Sequence, residues 1–397
     1  MKFRSKGLML ALATLAFVWL MGITMVNQAK AQAQGQGKAA APAKAAPVAA
    51  AKGPTAGEFY KNVSTSTLKG LTPSDFLGAM GVMAAALGYD CADCHPGAGS
   101  DHVDWVTDSN PKKKTARKMV EMVAVINKTN FSGAQMVTCF TCHHGLDLPV
   151  TTIALDKLYG APNEEKRDVL VPAQGEPTAT KILDDYIAAM GGAQKLATLR
   201  SYIVTGKSEG YGGLGGGGVF QIFAQAPDHR GMWINFPEHP DRGTSAWTYD
   251  GKAGFINAPR GLFPQYELNG NDLGGARLDA VLAFPGSIKT AFTNWRVGQE
   301  DTLGDHDVYV VQGGSAATVL ATFYFDKQTH LLSRYVRYTP SPVGRISIQN
   351  EFDDYRDVGG IKFPFKYNFL WLDGRFSAII SDVKVNVAVD AAKFAKP

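Results

Sequence analysis

The chain has 397 residues, 45% hydrophobic and 19% charged, with a formal net charge of +4. This is globular composition, and the length suits two or three domains. The charge surplus is too small to point to nucleic acid as a partner.

Lys2, Arg4 and Lys6 form a positive start, residues 7–26 are an uncharged apolar run, and Ala29-Lys30-Ala31 is a small-x-small cleavage pattern. Residues 1–31 therefore read as a signal peptide, or as an uncleaved membrane tether, because the run is long enough to span a bilayer. No Cys lies near the cleavage pattern, which excludes a lipoprotein anchor. Either reading exports the rest of the chain, to the periplasm in a bacterium. Residues 32–56 are Ala, Gln, Gly, Pro and Lys with almost no large apolar groups. Such a stretch cannot offset its ordering entropy and is expected to be a disordered linker.

Residues 57–160 are expected to form a mainly α domain. Thr72 can cap a helix, Pro73 suits its first position, Asp75 faces the positive end of the helix dipole, and Gly88 is a plausible stop. Phe76, Met80, Met83 and Leu87 recur as one apolar stripe. Cys91-Ala92-Asp93-Cys94-His95 follows. A second helix is predicted from Asn110-Pro111 to about Asn127, with Met119, Val123 and Ile126 on one face, then a loop, then Cys139-Phe140-Thr141-Cys142-His143. Both units thus read as a helix bearing Met-x-x-Met, a loop, and C-x-x-C-H. That five-residue run is the attachment signature of c-type haem. Cys91, Cys94, Cys139 and Cys142 would bond covalently to two porphyrins, and His95 and His143 would reach the irons. The two runs use all four cysteines of the chain. A C-x-x-C…C-x-x-C zinc site or disulfides are the alternatives, but zinc needs no His after each second Cys.

Haem iron that passes electrons without binding small molecules needs a sixth ligand, and a thioether raises the reduction potential relative to a second His. One Met of each Met-x-x-Met would coordinate, while the other would pack against the ring; plain core packing is the alternative. The stretch resembles one dihaem half of the cytochrome c subunit family of photosynthetic reaction centres. The matching text is Asp75-Phe76-Leu77-Gly78-Ala79-Met80-Gly81-Val82-Met83, then Thr115-Ala116-Arg117-Lys118-Met119-Val120-Glu121-Met122 and Val137-Thr138-Cys139-Phe140-Thr141-Cys142-His143-His144-Gly145. The resemblance implies that the first Met of each pair is the axial ligand, so Met80 with His95 and Met119 with His143. Asp90, Asp93, Asp101, Asp104 and Asp108 cluster by the first run, and Lys112, Lys113, Lys114, Arg117 and Lys118 before Met119. Both clusters read as solvated surface, or the basic one as a steering patch for an acidic redox partner.

Residues 161–176 are expected to be a linker, and 177–397 a curved antiparallel sheet domain. Residues 180–190 are helical by spacing. Strand texture follows at 201–205, 219–223, 230–234, 246–249, 254–256, 308–312, 320–325, 331–338, 346–352, 365–371 and 376–385, with helices at 276–282 and 287–293. Asp250-Gly251 and Asp373-Gly374 turn hairpins. Asp354-Tyr355-Arg356-Asp357-Val358-Gly359-Gly360-Ile361-Lys362-Phe363-Pro364-Phe365 and Ile182-Leu183-Asp184-Asp185-Tyr186 resemble the periplasmic lipoprotein-carrier fold, a half-open barrel under a helical lid. That resemblance implies a hydrophobic groove. The expected fold class is multidomain: an N-terminal mainly α dihaem cytochrome c domain and a C-terminal α+β antiparallel half-barrel.

The leading functional reading is an exported dihaem cytochrome, two covalently bound haem c groups relaying single electrons between partners of the periplasm or inner membrane, and not an enzyme. A haem peroxidase or reductase would need an open distal position. A lipid-, quinone- or lipoprotein-binding protein with an accessory haem domain is the other alternative.

Overall fold

The computed structural model describes residues 53–397, apart from 101, 150, 153–169, 171, 212–216, 260–263, 315–319 and 373. The leader at 1–31, nearly all of the 32–56 linker, most of the 161–176 linker, Asp373 of the second hairpin turn and the centre of the glycine-rich run lie outside the described residues.

The first part is helical. A short helix, Ala56–Phe59 (α1), precedes Pro73–Leu87 (α2). Thr72 caps α2 by accepting from the Asp75 N–H at 3.0 Å, and Gly88 ends it in the left-handed region at φ +67°. These are the start and stop that the residue types dictate. Pro111–Asn130 (α3) opens on Asn110, whose side chain accepts from the Lys112 N–H, and runs three residues past the expected end. Cys139–His143 (α4) is a single turn capped by Thr138.

The apolar stripe of α2 is not its buried face. Fully buried are Ala79, Val82 and Ala86, small residues that let the helix approach the sheet closely, while Met80, Met83 and Leu87 are half-buried. A Cβ on Gly78 would stand 2.6 Å from Ile346, and one on Gly81 would stand 2.8 Å from Leu372. Close helix–sheet approach has overruled side-chain size in choosing the face.

The second part carries helices Ala179–Ala189 (α5), Ala193–Leu196 (α6) and Gly270–Leu282 (α7). Its strands are Ser201–Tyr211 (β1), Val219–Gln225 (β2), His229–Asn235 (β3), Ser245–Tyr249 (β4), Gly254–Asn257 (β5), Tyr266–Glu267 (β6), Asn294–Val297 (β7), Asp301–Leu303 (β8), His306–Gly314 (β9), Leu320–Asp326 (β10), Leu332–Ser341 (β11), Gly344–Val358 (β12), Ile361–Trp371 (β13) and Gly374–Val385 (β14). They form one antiparallel sheet in the order β6-β5-β4-β3-β2-β1-β14-β13-β12-β11-β10-β9-β7, with β8 on β9. Every neighbour is a chain neighbour except β1 on β14 and β7 on β9, so the first and last strands pair in the middle of the sheet, Val204 opposite Val383, and β6 and β7 end the order. The register slips between Thr205 and Gly206, where a Cβ would strike the Ile379 carbonyl and the Phe220 ring. A bulge with glycine is a standard device for bending a strand. The strands β6, β7 and β8 were not foreseen; the longest has four residues, too few for periodicity to register. The helix expected at 287–293 is a 3-10 segment, Pro285–Thr290, a form used in short pieces.

There are two cores. The larger joins Ile182, Leu183 and Tyr186 of α5 and Leu278 of α7 to the sheet residues Phe220, Ile234, Phe323 and Phe376. The smaller joins Ala79, Val82, Val120 and Cys139 of the helical part to Val343 and Ile346 of the β11–β12 hairpin. The helical part therefore completes its core with side chains of the sheet, and both belong to one compact unit. Among the described residues, no helix is long and apolar enough to cross a membrane.

Candidate haem sites

The first run is an exposed 3-10 turn, Cys91–Asp93, capped by Asp90, which accepts from the Ala92 and Asp93 N–H groups. It is tied to the start of α3: Asn110 donates to the Asp93 carbonyl at 2.7 Å and Lys112 pairs with the Asp93 carboxylate at 3.2 Å. His95 lies beside Trp105, ring centroids 5.0 Å apart, and its Nδ1 is buried without a hydrogen-bond partner. Burial, aided by the Lys113 charge, lowers its proton affinity. A neutral imidazole is the form that binds iron. Trp105 carries no motif, and no sequence signal marks it.

The second run is held differently. The Cys139 N–H donates to the Val343 carbonyl of the β11–β12 hairpin at 3.2 Å, and the Gly145 N–H donates to Ala86 at the end of α2 at 2.9 Å. Before the run, buried Asn127 braces the loop: its Oδ1 accepts from the Met136 and Val137 N–H groups, and its Nδ2 donates to the Val137 carbonyl at 2.7 Å. His143 Nδ1 lies 3.0 Å from the Leu146 carbonyl. This is the partner a haem-ligating imidazole uses to fix its ring while the other nitrogen faces the metal. His144 stands at the left-handed end of α4, φ 51°, and is exposed.

Cys91 and Cys142 are exposed, Cys94 is half-buried and Cys139 is buried. Burial raises the thiol pKa of Cys94 and Cys139. Among the described residues no disulfide joins any of the four, and no three His, Cys, Asp or Glu side chains gather to hold a metal. The two runs therefore do not converge into one four-thiolate zinc site. Met80 is half-buried and outside the smaller core, whereas Met83 packs against that core. Met119 is half-buried and Met122 is 43% exposed.

The surface around the runs is apolar. Of eleven exposed large hydrophobic side chains among the described residues, ten lie between Phe59 and Leu148, Phe140 inside the second run and Leu146 just after it among them. Such a coat fits a large flat apolar group. With His143 Nδ1 at the Leu146 carbonyl and His95 Nδ1 buried without a partner, the residues present fit haem c.

Three of the five basic side chains before Met119 are engaged locally, while Lys114 and Lys118 are exposed. Lys112 is on Asp93, Lys113 donates to the Trp105 and Thr107 carbonyls, and Arg117 grips Asp108 with both nitrogens at 2.8 and 2.9 Å. Asp93 and Asp108 thus pair with Lys112 and Arg117, and with the Lys113 bonds they tie the loop at 102–110 to the start of α3.

A second feature lies where α2 crosses the sheet. A cavity of about 390 Å³ is roofed by Ser74, Asp75, Leu77 and Gly78 of α2 and floored by the strands. Asp75 is 5% exposed, and burial, reinforced by the Asp272 carboxylate, pushes its pKa up to about 7 against the pull of Asn271, Thr72 and Arg337. Burial also raises Asp272. The sequence places Asp75 at the positive end of the helix dipole and carries no signal for Asp272 or Arg337, which only the tertiary fold brings to it.

Comparison with known proteins adds the following. Residues 18–182 match the family model for the photosynthetic reaction centre cytochrome C subunit. The chain is 29% identical over 143 residues to the photosynthetic reaction center cytochrome c subunit of Rubrivivax gelatinosus, covering 35% of this chain and 36% of that protein. It is 33% identical over 109 residues to that of Thermochromatium tepidum, covering 26% and 25%. The match thus spans about a third or less of these relatives. Among solved structures, a DUF1329 family protein from Desulfovibrio piger has a TM-score of 0.38 at 14% identity, covering 54% of this chain and 96% of that one. A LolA superfamily protein from Nitrosomonas europaea also scores 0.38, at 13% identity, covering 56% and 99%.

Proposed function

We propose that this protein is an exported c-type cytochrome that relays single electrons through two covalently attached haems. Cys91 and Cys94 would hold the first, with His95 and Met80 as its iron ligands; Cys139 and Cys142 would hold the second, with His143 and Met119. The observation that carries this is the pair of C-x-x-C-H runs that use all four cysteines, inside a stretch similar to reaction-centre cytochrome c subunits. When bound, the haems supply a one-electron iron couple. The chain orients and encloses them. The Leu146 carbonyl fixes the His143 ring, Trp105 backs His95, and the Asn127 brace sets the approach to Cys139. Placing Met83 in the core leaves Met80 as the thioether of its pair available to a ligand. Residues 1–31 act as signal peptide or membrane tether, which puts the protein in the periplasm. Its partners are redox proteins there or in the inner membrane.

The test is a potentiometric titration with optical and low-temperature EPR spectra of wild type, Met80→His and Met119→His. Two high-potential low-spin centres are expected, each falling in its own variant. Ready binding of carbon monoxide by either reduced centre of the undamaged protein would refute thioether ligation.

The cavity under α2 supports one addition to this reading: the second part holds a hydrophobic ligand, in a site roofed by the helix that carries Met80.

A further inference from the structure

The cavity between α2 and the sheet combines three features. Its walls include six aromatic side chains, Trp247, Tyr249, Tyr367, Phe369, Trp371 and Phe376. Its polar lining has three carboxyls, Asp75, Asp272 and Asp279, and two guanidiniums, Arg230 and Arg337. Two of those polar atoms, Asp272 Oδ2 and Arg337 Nε, are shielded from solvent and have no hydrogen-bond partner, and Arg337 is only 8% exposed. Buried polar atoms in native proteins are nearly always satisfied, so two residues that line one cavity and each keep an orphaned atom mark it as a place where a bound molecule can supply polar partners. Arg337 is held in place for this. Its guanidinium lies against Gly275 of α7, where any Cβ would come within 2.2 Å of it.

We propose that this cavity binds a quinone-class molecule, its ring between the aromatic walls and its ring oxygens on the buried Arg337 and Asp272 groups. The volume of about 390 Å³ lies within the roughly 300–1,000 Å³ of small-molecule sites, room for a substituted ring and the start of a tail. The lining offers donors on Arg230 and Arg337 and acids on Asp75, Asp272 and Asp279, whereas a fatty-acid carboxylate can only accept. A neutral ring with two oxygens fits better: as quinone it accepts from guanidinium, and as quinol it donates to carboxylate. Flat aromatic walls favour a ring over an acyl chain. Gly78 roofs the cavity and Met80 follows two residues later, about 3 Å of helix rise. The choice of a redox-active ring over another neutral lipid rests on reading the helical part as an electron carrier.

The experiment is equilibrium dialysis of the oxidised, fully haem-loaded protein against a decyl-substituted benzoquinone, with bound quinone measured after extraction. Saturable binding of one quinone per chain is expected, weakened at least tenfold by Arg337→Met and abolished by Ala276→Phe, which fills the cavity from α7. Oleate should compete poorly. Circular dichroism and haem content of each variant show whether it has folded. Absence of saturable binding to the folded wild type, equal binding by both folded variants, or tighter binding of oleate would overturn the proposal. Should neither variant fold, displacement of quinone from the wild type by oleate at equal concentration would overturn it, and retention would support it. None of these readouts depends on the sixth ligand of either iron, so the site can fail while the electron-carrier reading stands, and the reverse.

Discussion

Replacing Asp75 by Asn should make the protein more stable above neutral pH and leave it nearly unchanged in acid. Asp75 sits in the first turn of α2, where the helix dipole favours a negative charge by about 0.3–1 kcal/mol. Burial beneath the helix and the neighbouring Asp272 carboxylate act the other way and win, lifting the pKa from 3.8 to about 7. The folded pKa lies above the unfolded one, so the folded state keeps a proton that the unfolded chain gives up. Stability is therefore highest below the unfolded value and falls as pH rises from about 4 to 7, by up to about 1.4 kcal/mol per unit. Three units of difference set a ceiling of about 4 kcal/mol. Because Asp272 shares the cavity, ionisation is divided between the two acids, and about 2–3 kcal/mol is expected for Asp75 alone. Asn at 75 stays neutral and can still accept from the Asn271 amide, which lies 3.3 Å from the carboxylate. Urea unfolding followed by circular dichroism at pH 4.5 and 8 measures the effect. The variant should gain about 2–3 kcal/mol on wild type at pH 8 and less than about 1 kcal/mol at pH 4.5. Parallel pH profiles for the two proteins would refute the placement of Asp75 as a buried acid.

Asn127→Ala removes the amide that makes three hydrogen bonds to the loop before Cys139; a loss of about 2–4 kcal/mol is expected in the same urea assay. Gly88→Ala forces a Cβ to within 2.3 Å of the Gly145 carbonyl at a residue with φ +67°. It should cost at least about 2 kcal/mol, against under about 1 kcal/mol for Gly70→Ala, where nothing lies within 4 Å. The Cys91→Ser/Cys94→Ser and Cys139→Ser/Cys142→Ser double variants should each lower covalent haem, read as the pyridine haemochrome after acid-acetone extraction, from two per chain to one. A count of one in the wild type would remove the dihaem reading.

Much of this protein was legible locally. The start and stop of α2 follow from Thr72, Pro73 and Gly88, because a cap needs only its own neighbouring backbone. The C-x-x-C-H runs carry their chemistry within five residues. The long strands of the sheet announced themselves by alternation and hairpin turns, and the multidomain α and antiparallel-sheet class followed from them. The tertiary structure alone decided which face of α2 is buried, because that depended on Gly78 and Gly81 meeting Ile346 and Leu372, far along the chain. The same holds for Asp75: its local position says first helical turn, and its environment is set by Asp272, Asn271 and Arg337. Two pairs from the acidic and basic clusters, Asp93–Lys112 and Asp108–Arg117, bind each other, which local sequence does not show. Periodicity and capping act over one or two turns of chain, whereas burial, and with it the pKa of a buried acid and the shape of a cavity, is a property of residues that only folding brings together.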